Sequence, residues 1–104
     1  MKPVLSLLVL LALQATSDVV KQAEAPGREA WDKHCKGCHD AAGARGLPPP
    51  SAELAKMSPD AIYDALVNGN MQAIGDVMGE EERQAVAMYL TKKPLTFLAA
   101  QPPK

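Results

Sequence analysis

The sequence predicts a small all-α domain of three to four helices, and three observations carry that prediction. Apolar residues recur at helical spacing in several separate stretches, helix-starting and helix-stopping residues bracket those stretches, and nowhere do apolar and polar residues alternate as in a half-buried strand. A chain of 104 residues holds one such domain at most.

The first stretch lies outside it. Met1 and Lys2 make a short basic start, Val4 to Leu13 is almost wholly apolar, and Ala15-Thr16-Ser17 offers small residues where an export peptidase reads them. That is the layout of a signal peptide over residues 1–17. The apolar run falls well short of the roughly 20 residues that a spanning helix needs. No cysteine follows it to take a lipid. The expectation is export, to the periplasm in a Gram-negative source, with no stable membrane span after cleavage.

Residues 18–26 are polar and Ala-rich and read as a flexible lead-in. Gly27 to about Lys36 reads as a helix, with Ala30, Trp31 and His34 near one face. Asp40 to Pro50 is broken by Gly43, Gly46 and Pro48-Pro49-Pro50 and reads as a loop. Ser51 can cap a short turn of helix through Met57. Ser58-Pro59-Asp60 is a sharper start, with Ser58 at the N-cap, Pro59 in the first helical position and Asp60 on the positive end of the dipole. Ile62, Ala65 and Leu66 form that helix's apolar stripe, and Asn68-Gly69 ends it in the left-handed manner. Asn70 to Gly79 reads as irregular. Glu80 to about Thr91 is the last helix, with an acidic first turn and with Val86, Tyr89 and Leu90 on one side. Pro94 stops it, so the domain covers residues 27–93, and residues 94–104 read as a frayed tail.

Composition narrows the function. Without Lys2 the chain carries ten Lys plus Arg against twelve Asp plus Glu, and no basic stripe, which excludes a nucleic-acid partner. One Trp, two Tyr and one Phe provide little bulk for a core. Domains of this size commonly need a disulfide, a metal or a cofactor to be stable.

Cys35-Lys36-Gly37-Cys38-His39 supplies the cofactor signal. Two thiols one helical turn apart can each form a thioether to a vinyl group on one edge of a porphyrin, and the adjacent histidine can then coordinate the iron, which makes this the attachment signature of c-type haem. Three other readings compete. A disulfide closing so small a ring would constrain almost nothing. A thioredoxin-like redox pair needs strands that this chain lacks. A zinc site needs four ligands, and His34 is the only other histidine, five residues from His39. For the sixth iron ligand, Met57 and Met88 read as core filler. Met71 and Met78 lie in the irregular stretch, where a backbone can bend to present sulfur to a metal.

With these residues in place, the stretch from Gly27 to Leu90 resembles the single-domain class I cytochromes c, whose fold wraps three to four helices around one covalently bound haem. Gly27, Trp31 and Cys35 have the family's spacing of glycine, aromatic and CxxCH box, and Met71 falls in register on its ligand methionine. Gln72 stands where the family usually has proline. The resemblance implies Cys35, Cys38, His39 and Met71 as the haem-binding set, with His39 and Met71 on the iron. It implies that Gly27 lets the first and last helices cross closely near Tyr89. It also implies that a proline carbonyl after the box orients His39. Pro48, Pro49 and Pro50 all qualify, and Pro50 is favoured. Met57 to Tyr63 together with Asn70-Met71-Gln72 bears a weaker likeness to the cytochrome domains of quinoprotein (PQQ-dependent) dehydrogenases.

The expected function is electron transfer by haem c, without substrate turnover, between redox protein partners such as a donor dehydrogenase and an acceptor oxidase or another cytochrome. The alternatives are a haem enzyme or gas sensor with an open sixth position, or a dedicated electron-accepting subunit of a quinoprotein dehydrogenase.

Overall fold

The computed structural model describes residues 4–40 and 48–99, with the side chains of residues 4–17 and 99 left aside. The glycine loop after the box and the last five residues lie outside this set. Among the described residues there are seven helices and no strand: α1 Val4–His34, α2 Lys36–His39, α3 Ser51–Leu54, α4 Pro59–Val67, α5 Gln72–Gly75, α6 Glu80–Thr91 and α7 Thr96–Ala99. None of them is long and apolar enough to cross a membrane. The all-α expectation holds. Three helices carry the frame, and the other four are single turns that shape the connections.

α1 and α4 both pack against α6. Ala23, Ala30 and Trp31 of α1 meet Ala85, Val86, Ala87 and Met88 of α6, with Ile62 and Leu66 of α4, in one buried cluster. Gly27 makes the crossing close. A Cβ there would overlap Tyr89 Cβ and lie 2.5 Å from the Ala85 carbonyl oxygen, so only glycine fits. Gly75 plays the same part for α5, where a Cβ would run into the Leu66 carbonyl group at the end of α4.

The helix starts follow their sequence signals. Ser58 Oγ accepts the Ala61 N–H at 3.1 Å, with Pro59 in the first turn. Glu82 reaches back to the Gly79 N–H at 3.1 Å, half of a capping box that glycine cannot reciprocate. The helix ends depart from expectation. Asn68 has φ −127° and is not left-handed. The reversal after α4 is made instead by the Met71 N–H reaching back to the Ala65 carbonyl at 3.0 Å. The left-handed residue is Lys92 (φ 59°), which ends α6.

Two segments read as loose are packed. Residues 18–26 continue α1 rather than forming a flexible lead-in. Ala23 is buried there, and Glu24 pairs with Lys92 Nζ at 2.8 Å and with Arg28 at 3.3 Å. The polar composition is the helix's solvated face, and Pro26 removes only one rung of its ladder. Nor is the tail frayed over residues 94–99. Leu95 is fully buried, and Asp60 accepts the Thr96 N–H at 2.9 Å and also the Thr96 hydroxyl. The Phe97 ring packs 5.6 Å from that of Tyr63.

Gly27→Ala should cost up to about 3 kcal/mol, because backbone must move rather than a side chain. The intact protein's thermal midpoint should then fall by roughly 10 °C or more. A shift within error of zero would show that α1 and α6 do not need this approach.

The Asp60 carboxyl is held below the ordinary carboxylate range, chiefly because the Thr96 hydroxyl donates to it. Its contribution to stability is therefore present above the unfolded value of about 4 and is lost as pH falls through the lower folded value. Asp60→Asn should lower the thermal midpoint at neutral pH and flatten its fall below about pH 4. An unchanged acid slope would mean that the anchor does not titrate with folding.

Candidate haem site

α1 ends at His34, and Cys35, with φ −120°, breaks the helix and caps the single turn of α2. Cys35 N–H bonds the Trp31 carbonyl at 3.0 Å, and the Cys35 carbonyl accepts Cys38 N–H at 3.1 Å and His39 N–H at 2.9 Å. Cys35, Cys38 and His39 therefore follow one another within a single turn. Both cysteines are free thiols, Cys35 buried and Cys38 exposed. Burial pushes the Cys35 thiol up to about 11. A thioredoxin-like pair needs the opposite, a thiol held low. Among the described residues no cluster of three or more His, Cys, Asp or Glu side chains could hold a metal ion.

His39 is buried, and its Nδ1 lies 2.7 Å from the Pro49 carbonyl oxygen. A carbonyl only accepts, so Nδ1 donates here, which leaves Nε2 as the ring nitrogen that could bind a metal. The partner is Pro49, not the favoured Pro50. The Pro50 carbonyl is already taken by Glu53 N–H at 3.0 Å and Leu54 N–H at 3.1 Å in the first turn of α3. Asp40 fixes this corner by accepting the Ser51 N–H at 2.9 Å, a bond that holds its carboxyl below the ordinary range. The Trp31 ring packs 5.7 Å from the imidazole, tilted by 40°.

His39 lines an almost wholly apolar cavity. Trp31 and Cys35 line it from α1 and its end, Leu54 and Met57 from the α3 region, Ile62, Ala65 and Leu66 from α4, Met71 from the loop that follows, and Val86 and Leu90 from α6. Of the two methionines weighed for the iron, the structure brings Met71 to this cavity, while Met78 is buried in the core cluster. Met57, expected as filler, also borders the cavity and is 38% exposed. Cys38 is not among the lining residues.

Met71 is more firmly seated than an irregular segment allows. Its N–H is bonded to Ala65, and its carbonyl accepts Ile74 N–H at 3.1 Å and Gly75 N–H at 2.8 Å at the start of α5. Arg83, which sequence reasoning passed over, reaches from α6 to the carbonyls of Gly75 at 2.6 Å and Met78 at 2.7 Å. Only its place one turn after the Glu80 helix start hinted at such a contact.

Residues 22–90 match the family described as cytochrome c oxidase, cbb3-type, subunit III. The chain belongs to this family. It is a mono-haem c-type cytochrome, and its cofactor is covalently bound haem c. No curated protein and no solved structure matches the chain. The residues present fit that cofactor. His39, oriented through Nδ1, and Met71 line one apolar cavity, with Cys35 in its wall and Cys38 three residues further on.

Proposed function

We propose that this cytochrome is an exported single-electron carrier that turns over no substrate, in which Cys35 and Cys38 would hold the haem by thioethers and His39 and Met71 would ligate its iron. The observation that carries the proposal is the apolar cavity that takes both His39 and Met71 and excludes Met78. When bound, the cofactor supplies a ferric–ferrous couple. The chain's own residues supply the rest. Pro49 fixes the imidazole and makes it a better donor. Ala65 and Gly75 fix the methionine from either side along the main chain. A soft thioether and an apolar surround both favour the ferrous state. Donors held by protein hydrogen bonds move little when an electron arrives, which is what a carrier requires.

Redox proteins are the partners of such a domain. We assign it a donor dehydrogenase and an acceptor oxidase or second cytochrome, reached outside the cytoplasm after loss of residues 1–17. The likeness of Met57 to Tyr63 to quinoprotein dehydrogenase domains makes an enzyme of that type the donor to try first.

Protein matured with a haem-attachment system should keep haem through acid–acetone extraction and gain the mass of one haem. It should also titrate as a single one-electron couple. Haem extracted intact from the wild type would overturn the thioether assignment.

The ferric protein should show the weak near-infrared band of sulfur-to-iron charge transfer. Met71→Ala should abolish it, lower the potential and open the iron to cyanide, whereas Met78→Ala and Met57→Ala should keep it. If the band is missing from the wild type, the iron has an open or different sixth position and the domain is a gas-binding or enzymatic one. If the band is lost in Met57→Ala instead, that thioether is the ligand.

A further inference from the structure

We infer that Arg83 is the positioning residue for Met71: from α6 it holds the loop that presents this methionine to the cavity. The inference rests on the reading of Met71 as the distal ligand.

α5 is one turn of four residues and has no stability of its own. It sets the Met71 backbone nonetheless, because the Gly75 N–H, at its far end, donates to the Met71 carbonyl at 2.8 Å. What holds α5 in turn is the Arg83 guanidinium. One nitrogen, Nη1, donates to the Gly75 carbonyl at 2.6 Å and to the Met78 carbonyl at 2.7 Å, tying both ends of the segment between α5 and α6 to one point on α6. The arginine is itself aimed. Nε lies 3.3 Å from Glu80 Oε1, and the Glu80 carboxylate also accepts the Tyr63 hydroxyl from α4, at 2.8 Å, and Gln84 Nε2 at 2.8 Å. The Tyr63 bond is the main reason that the Glu80 carboxyl sits below the ordinary range. α4 and α6 thus fix the carboxylate, the carboxylate fixes the guanidinium, and the guanidinium fixes the turn behind Met71. Only 21% of the Arg83 side chain is exposed, so water replaces these bonds poorly. Without the guanidinium the two carbonyls lose their charged donor, and the loop gains states in which the thioether is off the iron.

Imidazole reports those states, because it binds ferric iron only when the thioether has left. Its apparent dissociation constant falls in proportion as the open fraction rises. Imidazole titrations of the ferric holoprotein, followed in the visible spectrum, should therefore show about tenfold tighter binding in Arg83→Gln than in the wild type, equal to about 1.4 kcal/mol. Asp60→Asn loosens the tail but not this loop and should bind imidazole as the wild type does. Met71→Ala should bind it more tightly than either, and adding Arg83→Gln to Met71→Ala should change nothing further. Wild-type imidazole affinity in Arg83→Gln overturns the inference, as does equal tightening in Asp60→Asn or further tightening in the double variant. If Arg83→Gln does not accumulate as holoprotein, Arg83→Lys decides. One ammonium cannot reproduce the planar fork at these three oxygens, so tighter binding is expected, and an unchanged constant overturns the inference. Unchanged binding in Met71→Ala is a different failure, because it removes Met71 as the ligand.

Discussion

The missing Cβ at Gly27 is the constraint from which the rest follows. Because α1 can lie directly against Tyr89 and Ala85, the separation of the two long helices is set by backbone contact rather than by side chains. One turn onward on α1 comes Trp31, and one turn further Cys35, both in the cavity wall. On α6 the same approach brings Val86 and Leu90 to that wall, with Arg83 one turn earlier. Wider spacing would open the cavity along its length.

The two candidate ligands are secured by unlike means. His39 sits on a helical turn and is oriented by one short bond to a proline carbonyl, with Asp40 closing the corner. Proline suits that place because its fixed φ limits the freedom of the carbonyl's own segment. Met71 lies in a loop with no long helix beneath it, so main-chain bonds to Ala65 and Gly75 and a guanidinium from another helix do that work. Both arrangements fix the residue through bonds that the chain itself supplies.

Much of this was legible in the sequence where the rule involved is local. The Ser58-Pro59 start and the close approach at Gly27 are found in the structure as read, and the CxxCH box is legible as a motif because its three residues lie within two turns. The placement of Met71 over Met78 at the cavity was also legible, from register. What the sequence hid depends on partners far along the chain. Pro49 and Pro50 cannot be told apart until it is known that α3 uses the Pro50 carbonyl. Residues 18–26 and 94–99 look solvated because half of their surface is, and nothing local reveals that Ala23 and Leu95 meet a core. Asp60 looks like a dipole partner and also anchors Thr96, thirty-six residues away. Arg83 looks like any surface arginine in an acidic first turn.

Lys92 gives the fold a dependence on its medium. A left-handed lysine is strained by roughly 1 kcal/mol relative to a glycine in the same place. In return its ammonium lies 2.8 Å from Glu24 and 4.3 Å from the centre of the Tyr89 ring, so the end of α6 grips α1 beside the Gly27 crossing. That grip is made of exposed charge, and dissolved ions weaken it. A glycine would have closed the helix equally at any ionic strength. With lysine there, the hold on the early turns of α1 becomes a property shared between the chain and the salt around it, firm in dilute solution and relaxed in brine.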